Sequence, residues 1–222
     1  MGTLAAIRMS IDHTSFLLLL NWMSPAFPTG SFAYSHGMEW TIENGGLKSA
    51  EDVEQWISDL ITSGSGWNDA ILFTQCWSGG TKPLNELALA LAGSRERFLE
   101  TTQLGRSFSI AASAWTGAAL TDEDMAYPVA AGSACREMGI PREFAALAFL
   151  QGFCAALVTV AVRLAPLGQT KGLHVLRGLM PVISFTAERA SRASLDDLGS
   201  NTVAADIASM KHETLATRIF RT

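Results

Sequence analysis

Ser35, His36 and Glu39 supply the residue types of a hydrolase triad within one short segment. In known triads these groups come together in space from separate parts of the chain, so neighbours in sequence rarely supply the geometry. The GxSxG turn that presents the nucleophile in many hydrolases is missing, although residues 64–66, Gly-Ser-Gly, resemble part of it. We favour a turn with hydrogen-bonded polar side chains, and keep a small α-helical hydrolase using Ser35, His36 and Glu39 as an alternative.

Other catalytic and ligand-binding patterns are also missing from the sequence. Residues 168–172, GQTKG, have the wrong spacing for the GxxxxGK[ST] phosphate-binding loop. The four histidines are scattered, and His212-Glu213 lacks the second histidine of a helix-borne zinc site. The three cysteines lack CxxC spacing and lie in apolar surroundings, which predicts buried thiols in a reducing compartment. We therefore predict no enzyme activity, no cofactor and no metal for this chain, and favour a binding or scaffolding role.

The composition is unusually apolar for a chain of 222 residues. Hydrophobic residues make up 48% and charged residues 17%, against about 25% charged in an ordinary soluble domain. This excludes intrinsic disorder, and a net charge of −5 gives no general attraction to nucleic acid or anionic lipid. The apolar excess requires a membrane span, a buried helix or apolar surface for partners.

Apolar periodicity predicts an all-α fold. Ser49 is a predicted N-cap with Asp52 at the third helical position, and apolar residues follow at helical spacing through Ile61. The other predicted features are helices at 67–77 and 84–92, a polar region at 95–103, a helix at 107–120, helices with Pro128 and Pro141 in their first turns, Gly139 as the stop between these two, a short helix ended by Pro181, and helices at 182–193 and from 203 through 210. We predict a single domain, 1–222, of roughly ten helices, with a mobile N-terminus (1–12) and a mobile C-terminal ending (212–222).

Residues 144–162 form an Ala-rich apolar stretch that reaches the length of a transmembrane helix. Alanine favours membrane transfer far less than leucine or isoleucine, and Arg142-Glu143 and Arg163 give no strong charge asymmetry across the stretch. We therefore predict a buried central helix, with a membrane-associated helical protein as the alternative.

Three further segments combine residues that fix the backbone with aromatic or basic side chains. The first, residues 24–40, holds two prolines, two glycines and several aromatic residues. The second, residues 163–170, is a predicted sharp corner after the central helix, and the third, residues 210–222, ends with Phe220 between basic residues. An ordered aromatic loop and a basic terminal peptide are both typical of docking surfaces.

In this order and spacing the three segments resemble the UreF family of urease accessory proteins. The matching motifs are SPAFPTGSFAYSHGME at 24–39, RLAPLGQT at 163–170 and HETLATRIFR at 212–221. The DLGS stretch at 197–200 also fits, so the likeness spans nearly the whole chain. The sequence departs from the family pattern at three positions. Leucine is expected where Met38 and Ile219 stand, and serine is expected where Thr222 stands.

The resemblance implies a cytoplasmic, all-α maturation chaperone without an active site of its own. Such a protein bridges UreD (also called UreH) and the GTPase UreG on apo-urease, regulates GTP-dependent nickel insertion, and forms a homodimer. Nickel and GTP would be handled by the complex and not bound by this chain, and neither nucleic acid nor membrane is an expected partner.

Carried over by position, the resemblance also implies which residues bind partners. The ending, residues 212–222, would engage UreD and become ordered in the complex, and residues 25–39 would belong to the shared scaffold and the UreG side. The predicted partner-binding residues are Pro25, Phe27, Gly30, Tyr34, Ser35, His36, Glu39, His212, Glu213, Arg218, Phe220 and Arg221.

Overall fold

The structure is a computed structural model that describes residues 10–117, 125–165 and 167–221. Within those ranges the chain forms ten α-helices and no β-strand, so the predicted all-α bundle is confirmed. The helices are α1 (His13–Trp22), α2 (Met38–Glu43), α3 (Ala50–Ser63), α4 (Ser65–Gln75), α5 (Thr81–Ala90), α6 (Arg95–Thr116), α7 (Tyr127–Glu137), α8 (Arg142–Leu164), α9 (Gly168–Arg192) and α10 (Val203–His212). Short 3₁₀ turns lie at Ser31–Ala33, Cys76–Ser78 and Leu195–Asp197.

Local capping signals set several helix ends as predicted. The Ser49 hydroxyl accepts a hydrogen bond from the Asp52 amide at 3.1 Å, and the Asp52 carboxylate accepts one from the Ser49 amide at 2.9 Å. Pro128 lies in the first turn of α7, and Gly139, with φ +69°, follows its end. Pro141 is the N-cap of α8, one residue before the predicted first turn.

The predicted division of residues 95–120 into a polar region and a separate helix is wrong. One helix, α6, runs from Arg95 to Thr116, and Ser94 caps its first turn by accepting a hydrogen bond from the Arg97 amide. Its first turns read as polar because Glu96 and Glu100 point into the protein, where they have charged partners. The polar pattern marked a helix face that is buried with its charges paired.

The predicted break at Pro181 is also wrong. Pro181 lies inside α9, which continues to Arg192. A proline in a helix removes one amide donor and leaves the carbonyl four residues earlier without its usual partner. That carbonyl belongs to Arg177, and both Pro181 and Arg177 are exposed, so water can replace the lost bond.

Helix α8 forms the centre of the bundle and packs most extensively against α9. Its buried residues include alanines that allow close helix packing and Phe149, which stacks on Phe73 of α4 with ring centroids 4.6 Å apart. Among the described residues α8 is the one helix long and apolar enough to span a membrane, yet more than half of its apolar stretch is buried inside the protein. The interpretation as a core helix is confirmed.

The three cysteines, Cys76, Cys135 and Cys154, are buried free thiols, as predicted. Burial raises the pKa of Cys76 to about 11 and that of Cys154 to about 12, and it raises the pKa of Cys135 further. All three therefore stay protonated and unreactive near neutral pH.

Some predictions lie outside the described residues. They are the end of the predicted helix 107–120, residue 166 within the predicted corner at 163–170, most of the N-terminal segment 1–12, and the last residue of the predicted ending 212–222.

Candidate functional site

The 24–40 segment is shaped by residues with positive φ angles. Gly30 has φ +82°, Gly37 has φ +76°, and His36 between them has φ +50°, a conformation that non-glycine residues rarely adopt. A Cβ atom on Gly37 would lie 2.8 Å from the backbone nitrogen of Ser209, so glycine also allows α10 to approach closely. The resulting turn directs His36 and Glu39 into the protein, where each is 6% exposed.

Glu39, Glu96, His212 and Arg218 form one buried group, which we call the His212 cluster. His212 is completely buried; its Nδ1 lies 2.7 Å from a carboxylate oxygen of Glu96, and its Nε2 lies 2.9 Å from one of Glu39. Arg218 donates to the other oxygen of Glu96 at 2.8 Å. The cluster therefore joins α2, α6, the end of α10 and the C-terminal ending.

Glu39 also fixes the backbone of the ending. Its carboxylate accepts hydrogen bonds from the amides of Ile219 at 2.7 Å and Phe220 at 2.9 Å. A carboxylate that accepts two consecutive amides holds the chain in one register, because a shift of one residue would lose one of these bonds.

A second buried group, the His36 cluster, consists of His36, Ser65, Asp69, Arg97 and Glu100. His36 Nε2 lies 2.9 Å from a Glu100 oxygen, and His36 Nδ1 lies 3.2 Å from the Ser65 hydroxyl. Arg97 bridges Glu100 at 2.8 Å and Asp69 at 3.1 Å. The edge of the His36 ring contacts the side chain of Phe153, with centroids 4.8 Å apart.

The charges of the His36 cluster shift one another's pKa values. Burial alone would raise the pKa of Glu100, but the adjacent Arg97 and His36 outweigh it and lower the pKa to about 2. For Asp69, burial raises the pKa and Arg97 opposes it only in part. Burial opposes the charge of Arg97, yet Glu100 and Asp69 raise its pKa above the ordinary value. Arg97 is therefore the cation that makes this buried group of charges stable.

The C-terminal ending packs along the 24–40 segment. The Arg221 amide donates to the Ala33 carbonyl at 2.7 Å, while the Arg221 guanidinium and the Tyr34 hydroxyl both donate to the Gln103 side-chain oxygen, at 3.0 and 2.9 Å. Phe220 is 5% exposed, and the Arg163 guanidinium lies 5.9 Å from its ring centroid.

The 24–40 segment and the C-terminal ending thus meet in space beside the first half of α6, and Arg163 of the third segment reaches the ring of Phe220. Beside them lies an open groove of about 500 Å³. The groove is lined by Tyr34, Arg95, Glu96, Leu99, Gln103, Glu213, Arg218, Phe220 and Arg221. Glu213 is fixed there because its carboxylate accepts the Arg95 amide at 3.0 Å.

Most of the predicted partner-binding residues belong to this region, but two lie elsewhere. Phe27 is a core residue, 5.5 Å from Phe108 between ring centroids. Pro25 lines a separate apolar groove between α1, α8 and α9. Residues 212–221, predicted to be mobile, are packed against the body of this structure, and their ordering by UreD stays a prediction.

Five residues of α6 and α4 complete the site and were not predicted from the sequence: Glu96, Arg97, Glu100, Gln103 and Asp69. One signal was available. Charged residues follow the Ser94 cap at spacings of three and four, which places them on one helix face. Their buried partners are distant in sequence, so the pattern alone did not distinguish this face from an exposed one.

The proposed triad of Ser35, His36 and Glu39 is not assembled. Glu39 contacts His212, whereas His36 contacts Glu100 and the Ser65 hydroxyl. The Arg97 guanidinium also lies 3.4 Å from His36 Nε2 and shares Glu100 with it.

The described parts of the chain contain no group of three or more histidine, cysteine, aspartate or glutamate side chains arranged to hold a metal ion. What the two clusters do is hold a loop, a helix and the chain terminus in one arrangement.

Fold and site together define a class: an all-α protein in which buried charges fasten the C-terminal ending to an N-terminal loop. A model of the UreF family matches residues 47–180, more than half of the chain. The urease accessory protein UreF of Brucella ovis is 44% identical over 216 residues, which cover 94% of each chain. UreF of Cereibacter sphaeroides is 44% identical over 94% of this chain, and UreF of Mesorhizobium japonicum is 43% identical over 93% of it. The chain belongs to the UreF family of urease accessory proteins, as its motifs indicated.

Proposed function

We propose that this protein is a cytoplasmic maturation chaperone that bridges UreD (UreH) and the GTPase UreG on apo-urease during GTP-dependent nickel insertion. Family membership supports the role in urease maturation. The observation that carries the bridging proposal is the contact between the C-terminal ending and the 24–40 segment, which makes two separate motifs into one surface.

The exposed side of that surface has the character of a protein interface. Ile219 is 70% exposed, Phe32 is 47% exposed and Leu99 is 39% exposed, while their neighbours Phe220 and Glu39 are buried. Exposed apolar side chains beside arginines are typical of interface centres. In this proposal the ending with Ile219 meets UreD, and the 25–39 segment with Phe32 lies on the UreG side.

A matched pair of substitutions tests the UreD side. Ile219→Asp places a charge at the proposed contact, and Ile110→Asp places the same charge on an equally exposed isoleucine of α6, 67% exposed, outside the groove. We expect Ile219→Asp to reduce co-purification with UreD by tenfold or more, on the order of 1.4 kcal/mol, and Ile110→Asp to leave it unchanged. Equal recovery of UreD with both variants would contradict the assignment.

The role in maturation has a more general test. Urease structural and accessory proteins are co-expressed with and without this chain, and urease activity and bound nickel are measured. The proposal predicts that both fall strongly when the chain is omitted. Full activation without it would refute the function, whatever surface is involved.

We also propose that the protein forms a homodimer through the apolar groove of α1, α8 and α9. The groove has a volume of about 500 Å³, and among the residues that the structure describes none with a charged side chain lines it. Phe16, Leu20 and Met180 on its rim are each 50 to 60% exposed. In a two-fold dimer the same surface patch of both subunits is in contact. A patch without charged side chains therefore brings no like charges together.

The oligomeric state tests this proposal. Met180→Glu introduces like charges across the proposed two-fold contact, and Val203→Glu introduces one on α10, where Val203 is 62% exposed. Light scattering is expected to give a dimer for the parent protein and for Val203→Glu, and a monomer for Met180→Glu. A dimer in all three would place the contact elsewhere.

A further inference from the structure

A small polar cavity lies between the 24–40 segment and the core helices. It has a volume of about 40 Å³ and is bordered by residues of α1, α4, α6, α7 and α8 as well as the segment. The segment contributes Thr29 and Ser31 to its lining, α7 contributes Tyr127, and α4 contributes Asp69. The cavity shares no described lining residue with the groove beside the C-terminal ending, so the two are separate features.

Four polar groups around this cavity have no hydrogen-bond partner among the residues that the structure describes. They are the hydroxyls of Thr29, Ser31 and Tyr127 and the oxygen of Asp69 that does not bind Arg97. Burial raises the pKa of Tyr127 above its ordinary value, so its hydroxyl keeps the proton and can donate it. Polar groups away from bulk water are nearly always paired, so a ligand that both donates and accepts hydrogen bonds is expected here.

Water is the ligand that fits the size and the charges of the cavity. An internal water needs about 10–15 Å³ and two to four polar partners, so the volume holds about three waters. The charged residues of the lining disfavour a simple ion of either sign. The carboxylates of Asp69 and Glu100 repel an anion, and Arg97, which is paired with both, repels a cation.

We propose that a cluster of about three internal waters occupies this cavity and bridges Thr29 and Ser31 of the 24–40 segment to Tyr127 and Asp69 of the core. The cluster attaches the segment to α4 and α7 without a direct side-chain bond between them. It depends neither on the C-terminal ending nor on a partner protein, so it is a property of the chain alone.

The first experiment is a crystal structure of the full-length protein at a resolution that shows ordered water. We expect about three water peaks in the cavity, one of them within hydrogen-bond distance of the Tyr127 hydroxyl and one within that distance of Ser31 or Thr29. A cavity without a water beside the Tyr127 hydroxyl, or one closed by side chains that have moved into it, would overturn the proposal.

Tyr127→Phe gives a test in solution whose sign distinguishes a hydrated cavity from a dry one. The variant keeps the ring, which packs against Phe108 and Phe149, and removes only the hydroxyl. If water pairs with the hydroxyl, we expect the unfolding equilibrium constant in urea titrations to rise about fivefold. Tyr34→Phe is the reference, because the Tyr34 hydroxyl donates directly to Gln103 at 2.9 Å. In a dry cavity the hydroxyl has no partner, so an unchanged or lower constant for Tyr127→Phe contradicts the proposal.

A double-mutant cycle tests whether the waters join the segment to the core. Ser31→Ala and Tyr127→Phe are measured alone and together, and circular dichroism checks that each variant is folded. The two hydroxyls have no hydrogen bond to each other, so they influence one another only through shared water. We expect the double variant to fall short of the product of the two single fold-changes by about twofold or more. Fold-changes that simply multiply would show that no water cluster links the two residues.

Discussion

Arg97 is the residue on which the buried charges of the His36 cluster depend. It is the cation paired with both Asp69 and Glu100, and its side chain is 14% exposed. Both carboxylates stay buried when this cation is lost, which is far less favourable than the loss of an exposed pair. The same reasoning makes the exposed Arg192–Glu188 pair, with side chains 77% and 61% exposed, nearly irrelevant to stability.

This contrast gives a direct prediction. Arg97→Met keeps much of the side-chain volume and removes the charge, and we expect it to lower the free energy of unfolding by about 3–5 kcal/mol. Arg192→Met is the matched control and should change it by less than about 0.5 kcal/mol. Urea denaturation of both variants measures the difference. Similar small effects would show that the His36 cluster is not a buried ionic unit.

The lowered pKa of Glu100 predicts how acid acts on the fold. Because the folded-state pKa is about 2 and the ordinary value is 4.5, the stabilisation by Glu100 is complete above about 4.5 and is lost as pH falls towards 2. Glu100→Gln removes this titration, so its stability deficit relative to the parent should be largest near neutral pH and shrink below about pH 4.5. Unfolding free energies measured against pH test this, and a deficit independent of pH would contradict it.

At the scale of helices, the approach of α2 to α10 depends on Gly37. Its backbone is left-handed, and a Cβ there would lie 2.8 Å from the Ser209 nitrogen and 2.9 Å from the Ala208 Cβ. Gly30 in the same segment has a similar positive φ, but no atom lies within 4 Å of the position its Cβ would take. A side chain at Gly30 would thus destabilise the fold only through the backbone conformation. A side chain at Gly37 would destabilise it through the backbone conformation and also through steric overlap with α10.

We expect Gly30→Ala to destabilise the protein by about 1 kcal/mol, from backbone conformation alone. Gly37→Ala should cost about 3 kcal/mol, because α10 must also move away from the loop. Thermal or urea unfolding gives both values. If the two substitutions cost the same, the close contact between α2 and α10 does not contribute to stability.

Helix positions were predictable wherever a short-range signal decided them, as at the Ser49 capping box and at Gly139 after α7. The sequence misled where a distant partner decided the outcome. The 95–103 stretch looked like a separate polar region because His212, which contacts Glu96, lies more than a hundred positions away in the sequence. Pro181 looked like a helix end because its exposure on the surface of α9 is a tertiary property. The segments that form the candidate site could therefore be predicted from the sequence. The buried face of α6 that joins them could not.

In the whole molecule, the many apolar residues of the sequence lie in two kinds of place. One is the buried helix α8 and its neighbours, and the other is exposed apolar surface, both on the α1, α8 and α9 groove and around Ile219. Exposed apolar patches on a small protein favour association. We therefore expect the isolated protein to be poorly soluble and its solubility to improve on co-expression with UreD.

The most direct test of the central proposal is the composition of the complex formed with tagged UreD and UreG in one host. The full chain is compared with a version ending at residue 211, which lacks the ending but retains the core helices through nearly all of α10. We expect the full chain to join UreD and UreG in one complex of fixed stoichiometry and the shortened chain to lose UreD. Recovery of the same complex, in the same proportions, with the shortened chain would contradict it.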